Sequence, residues 1–138
     1  MAITNNAAFK ANFAAILKEA GDKVNLVVRK TALQLQTRMV QRSPVDTGRF
    51  KNNWTTGIGV VNTDTTTDTD LTGTGSIDRT VSAVSDWKPG QTINLTNSLP
   101  YAMRLEYDSW SKQAPSGMVR LTVLEFNQAV AEAAASIK

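Results

Sequence analysis

Apolar residues recur at spacings of three and four from the start of the chain: Phe9, Phe13, Ile16, Leu17, Ala20, Val24, Val27 and Val28, then Leu35 and Met39. That period predicts one long helix over 5–42. Between 24 and 40 the stripe broadens, because Leu26, Leu33 and Val40 lie a heptad apart on a neighbouring face. So wide a face predicts a sheet on one side and a second surface, a plain core element or another subunit, on the other. Gly21-Asp22 is the expected place for a bend. Ser43-Pro44 stops the helix, since proline lacks the amide hydrogen and disfavours helical geometry in the residue before it. A capped corner is expected over 43–54: Asp46 caps a short helix from Thr47, and Phe50 and Trp54, four apart, share its inner face.

From Thr55 the period changes to two, with Ile58 and Val60 alternating against polar residues and glycine. The run 62–80, NTDTTTDTDLTGTGSIDRT, is nearly devoid of large apolar side chains. It reads as a long, mobile hairpin loop. A return strand is expected in RTVSAVSDW, with Val81, Ala83 and Ser85 on one face, and another in QTINLTNSL, with Ile93 and Leu95. Over 98–117 a short helix with Pro100 at its first position and then a loop are expected. The segment 118–138, with Val119, Val123, Phe126, Val130, Ala133 and Ala134, reads as a C-terminal helix whose beginning, VRLTV, also has strand propensity. Together these predict a single α+β domain over 1–138, its N- and C-terminal helices packed on an antiparallel sheet of about four strands.

Composition narrows the chemistry. A chain of 138 residues suits one domain with a real core. No apolar run approaches the roughly 18 residues that span a membrane, and the first residues lack the order of a signal peptide, so synthesis in the cytoplasm is expected. Cysteine and histidine are both absent. Disulfides, thiolate nucleophiles and the usual zinc sites are therefore excluded, along with the commonest general base. Residues 1–51 hold nine Lys and Arg against three acids, and residues 52–138 hold six against nine. Such a dipolar chain suits stacking on copies of itself or steering toward an acidic partner.

Other candidate chemistry is thin. Asp64, Asp68 and Asp70 with Gly73 resemble part of a calcium loop, but the twelfth position counted from Asp68 is Arg79, a cation. The glycines of GTGSID lack the third member of a dinucleotide fingerprint. Glu106 and Asp108 sit beside Arg104 and near Lys112, which favours ion pairing over acid–base work. The basic residues Arg29, Lys30, Arg38, Arg42, Arg49 and Lys51 support an alternative reading as a nucleic-acid-associated module, although no stacking array or known binding motif accompanies them.

Two stretches in order add a family. RSPVDTGRFKNNW, 42–54, resembles the R-S-P-V-D-T-G-R signature of a tail-component family of tailed bacteriophages. NSLPYAMRLEYDSWSKQAPSGMVRLTVLEF, 97–126, resembles its second block. Asp108 stands where that block usually has glycine, Phe50 where leucine is common and Asn53 where serine is common. The resemblance implies a non-enzymatic virion protein of the neck or tail, with no catalytic, cofactor or metal residues. It would link the head-closure ring to the tail tube. Its partners would be other copies of itself in a sixfold ring, connector or head-closure, tail-terminator or tail-tube proteins, and passing DNA through non-specific contact. The 62–80 loop would order against a neighbour or line a channel. The residues expected to hold the motif or an interface are Pro44, Asp46, Thr47, Gly48, Arg49, Trp54, Pro100, Tyr101, Glu106, Tyr107 and Arg120. Asp46 would cap and pair with Arg49 or Arg120, Gly48 would permit close approach, and Phe50 and Trp54 would anchor the corner.

Overall fold

The computed structural model describes residues 6–137, with side chains from Ala11 onward. Asn5 and Lys138, the expected ends of the terminal helices, lie outside the described residues, as does the Phe9 side chain. Helix α1 runs without interruption over Asn6–Arg42, about 55 Å at 1.5 Å per residue. Gly21 does not break it. Its two halves differ in environment. Every side chain from Ala11 to Val24 is exposed, whereas Thr31, Ala32, Gln36, Met39 and Val40 are buried. The second half packs against α3 (Thr74–Ser85), α5 (Val119–Leu124) and α6 (Phe126–Ala135).

The remaining elements are short: α2 (Arg49–Asn52), β1 (Trp54–Ile58), β2 (Ile93–Asn97) and α4 (Ala102–Tyr107). The strands β1 and β2 pair antiparallel from Trp54↔Asn97 to Ile58↔Ile93. Among the described residues they form the one sheet, so the expected four strands reduce to two. The expected return strand is part of α3. That helix presents Ser76, Thr80 and Val84 inward, one residue every four, and two of the three are small hydroxyl residues. They fit because the surface they meet is polar. The Thr80 hydroxyl lies 2.9 Å from that of Thr56, the Ser76 hydroxyl donates to the Lys51 carbonyl at 2.7 Å, and the buried Gln36 amide donates to the Thr55 carbonyl at 3.1 Å.

The run expected to be mobile is tied to the corner instead. The buried Asn53 amide group donates to the Thr66 carbonyl at 3.0 Å, and its oxygen accepts from the Thr66 amide at 2.8 Å. Asn52 donates to the Asp68 carbonyl and Arg49 to that of Thr66. The Asp70 amide reaches the Gly48 carbonyl at 3.1 Å. Gly48 has φ +87°, and a side chain there would place Cβ 2.5 Å from the Asp70 carbonyl oxygen, so the close approach expected of this glycine is present and its partner is the 62–73 loop. Past that loop α3 takes over from Thr74.

The core joins both blocks of sequence: Met39, Val40, Phe50, Trp54, Leu99, Leu105, Ala114 and Met118 form one buried cluster. The expected C-terminal helix is divided at Glu125 into α5 and α6. Among the described residues no helix is long and apolar enough to cross a membrane.

The carboxylate that organises the start of α3 is Asp70. It accepts from the amides of Gly75 (2.7 Å), Thr72 and Gly73 and from the Thr72 hydroxyl. These bonds, the Gly75 amide first, hold its pKa down at about 2 against an ordinary 3.8. A depressed carboxyl stabilises the fold above its unfolded value and loses that contribution as pH falls through its folded one. Asp70→Ala is therefore expected to cost about 1 kcal/mol near pH 7. Urea titrations should show the gap from the parent closing as pH is lowered from 5 toward 2.

Candidate functional site

The two sequence blocks fold into one clasp. Gln113 bonds both main-chain groups of Val45, accepting from its amide at 2.8 Å and donating to its carbonyl at 3.0 Å, so one side-chain amide acts as a single rung of sheet. The buried Trp54 indole N–H donates to the Ser43 hydroxyl at 2.7 Å, and that hydroxyl donates to the Met39 carbonyl at 2.7 Å, one turn before the end of α1. Met118 packs against the same hydroxyl.

Glu106 holds the far side. Its carboxylate, 7 % exposed, accepts from the successive amides of Met118 (2.9 Å), Val119 (2.7 Å) and Arg120 (3.1 Å) and from the Arg120 Nε at 3.1 Å. Arg120 also donates to the Glu106 carbonyl. Burial pushes the Glu106 carboxyl up, but the three amides and the guanidinium outweigh it and hold it below the usual carboxylate value. Gly117, at φ +83°, lies so near that an added Cβ would sit 2.7 Å from the Glu106 carbonyl oxygen. Glu106 and Arg120 were among the residues expected to hold the motif; Gln113 and Gly117 lie within the second block but were not singled out there.

In front of the clasp lies an open cleft of about 700 Å³ lined by 44–50, Tyr101, Leu105 and 110–113. It gathers Pro44, Asp46, Thr47, Gly48, Arg49 and Tyr101 from the expected residues. Trp54, Pro100, Glu106, Tyr107 and Arg120 do not line it. Trp54 is core, Pro100 is exposed in the turn before α4, and Tyr107 lies outside under the Arg120 guanidinium, 5.0 Å from its ring centre. A row of aromatic rings leads from the core to the cleft: Trp54 to Phe50 at 6.0 Å, Phe50 to Tyr101 at 5.8 Å and Tyr101 to Trp110 at 6.2 Å. Trp110, not singled out in the sequence, ends the row 57 % exposed. Arg104 lies 5.5 Å from the Trp110 ring centre, and Lys112 and Arg49 add cationic groups at the rim.

The expected role of Asp46 is corrected. It is exposed, and among the described residues it makes no capping bond; α2 begins at Gly48 with no side-chain cap, and Thr47 Oγ1 takes the Arg49 amide at 3.2 Å. Nor does Asp46 pair with Arg49 or Arg120, the latter being held by Glu106. The basic cluster of the first third is also dispersed. Arg42 grips Glu125 with two bonds of 2.7 Å, and Arg38 bridges Glu125 and Glu132. Arg29 donates to the Trp87 carbonyl and Lys30 to the Ser136 hydroxyl.

Among the described residues no three His, Cys, Asp or Glu side chains gather where they could hold a metal. The chain matches, over residues 7–107, the family model described as "Bacteriophage HK97-gp10, putative tail-component". It belongs to that HK97-gp10-like family of phage tail components. The match takes in the first sequence block and the beginning of the second. Comparison with curated proteins and with solved structures gives no match in either case.

Two variants test the clasp. Glu106→Gln removes the charge that three amides and a guanidinium share and is expected to cost about 2–3 kcal/mol. Gly117→Ala should cost more than about 1 kcal/mol, through strain at positive φ and displacement of Glu106. Chemical denaturation of both, with the parent losing stability as Glu106 protonates below the usual carboxylate range, checks the assignment.

Proposed function

We propose that this chain is a structural virion protein of the head–tail junction, a neck or tail-completion component that links the head-closure ring to the tail tube in a sixfold ring. It makes and breaks no bonds. The 42–54 stretch, with its SPVDTGR run, is the part of the chain that carries this role. The observation behind the reading is the cleft: both sequence blocks are spent on fixing its walls, while its aromatic floor is left open. A neighbouring virion protein, from the connector, the tail terminator or the tube, would lay an apolar or aromatic side chain over Tyr101 and Trp110. Its acidic groups would meet Arg49 and Lys112. Aromatic anchors of this kind carry most of the binding energy in protein interfaces.

The rival reading, a nucleic-acid module, would need the basic groups of the first third to be available for phosphate. Arg38 and Arg42 face acids within the fold instead, which favours the structural role. Contact with passing DNA would then be weak and non-specific.

Deletion of the gene from its phage should yield tailless heads or unjoined tails, counted by negative-stain microscopy. Intact infectious particles would refute the proposal. Trp110→Ala should lower the melting temperature by only a few °C, since the ring is mostly exposed and gives up its edge contact with Tyr101 and its contact with Arg104, yet fail to restore joined particles.

A further inference from the structure

Helix α1 carries two apolar surfaces that cannot meet within one chain. The first is a stripe on its projecting half: Ile16, Leu17 and Val24 are 63 %, 57 % and 62 % exposed, with Ala20 between them on the same face. The charges beside the stripe are paired with one another, Lys18 with Asp22 and Lys23 with Glu19, which leaves the stripe itself neutral. The second is a groove of about 300 Å³ that runs along the other half of α1 from Val27 to Leu35, with Ile93 and Leu95 of β2 and Phe126 and Val130 of α6 as its other walls.

Stripe and groove match in length. Ile16 to Val24 and Val27 to Leu35 each cover nine residues, eight helical rises or about 12 Å. The helix between them is continuous and free of proline, so the stripe cannot fold back onto its own groove. We infer that the stripe of one copy seats in the groove of the next, with Leu17 and Val24 against Ile93, Leu95 and Phe126. The surfaces in contact are different on the two partners, so the contact is heterologous and propagates from copy to copy. A helix face of this size covers on the order of 800 Å² in all, short of the ~1,200–2,000 Å² of a stable standard interface. One such contact gives a weak pair. Closure of a ring, in which each copy uses stripe and groove at once, gives a stable assembly. Pairing of two stripes would instead leave the groove uncovered. Only the ring closure rests on the junction role proposed above; the pairing of stripe with groove stands apart from it.

The chain has no cysteine, so introduced thiols report directly. Leu17→Cys and Phe126→Cys both fall on exposed side chains. A mixture of the two single variants at high concentration, and the same pair in assembled tails, should cross-link on oxidation into a dimer containing one of each. The double variant should give a ladder of higher multimers. Dimers from Leu17→Cys alone, or no cross-link in either setting, would overturn the inference. Leu17→Asp should abolish the multimers in light scattering with an unchanged melting temperature. If Leu17→Asp protein still restores normal tails to the deleted phage, the docking is wrong while the junction role stands. If the deleted phage is infectious without any copy, the junction role fails whatever the cross-links show.

Discussion

A sheet of two five-residue strands gives the main chain few partners, and the fold rests on side chains that supply the rest. Buried amides and carbonyls must be bonded, yet the segments 43–53, 62–73 and 106–120 lie outside the sheet and largely outside the helices. Asn52 and Asn53 bond the loop carbonyls that another strand would have taken. Gln113 bonds both groups of Val45. Glu106 gathers three successive amides where α5 begins. Because each of these bonds joins distant segments, the corner, the loop and the second block are fixed together or not at all. That mutual dependence is what holds the cleft walls in place with so little regular structure.

The same economy governs the charges. The first third of the chain is basic because Arg38 and Arg42 face α5 and α6, where Glu125 sits at the break between the two helices. The Arg42 guanidinium, with help from Arg38, holds the Glu125 carboxyl below its usual value. The asymmetry along the sequence is thus partly cancelled in space: the basic end of α1 lies against the acidic C-terminal helices. Arg29 turns inward in the same manner, over the Trp87 ring and onto its carbonyl. What the sequence offers as a patch for an external anion serves chiefly to fasten one helix to its neighbours.

Where the apolar period is strong the sequence is legible, and where hydroxyls and amides take over it is not. The length of α1, the end at Ser43-Pro44 and the strand around Ile93 and Leu95 all follow from periodicity and proline chemistry. Helix α3 does not, because its buried face is Ser76, Thr80 and Val84, and two hydroxyl residues in a Thr-rich run look like loop. Its partners, Thr56 and Lys51, come from two other segments. The loop before it looked mobile for a related reason: its own residues lack apolar anchors, and the asparagines that bind it lie in the corner. At the site, the joint burial of Phe50 and Trp54 was readable from spacing, although Trp54 begins β1 instead of sharing the short helix, and Gly48 was legible only through the family resemblance. The exchange of roles between Asp46 and Asp70 was not, since both precede a glycine and a short polar run, and only packing determines which carboxylate finds free amides. The Glu106–Gly117 contact spans eleven residues of irregular chain and has no local signature at all.

The cleft and the two apolar surfaces of α1 demand different things of the fold. A cleft for an unlike neighbour must have fixed walls, because ordering them on contact would subtract from affinity. Here the row from Trp54 through Phe50 and Tyr101 to Trp110 couples the exposed ring to the centre of the core, so the binding floor is as rigid as the packing beneath it. The projecting half of α1 is the opposite case. Its side chains are exposed along 11–24, and helical segments of that length are marginal in water without tertiary packing. Its i,i+4 ion pairs add only a little. Burial of its stripe would supply what the lone chain lacks, so its order and its association are one equilibrium. On the proposed reading, a rigid cleft for unlike neighbours beside a helix completed by association would let like copies assemble without disturbing the surface they present to others.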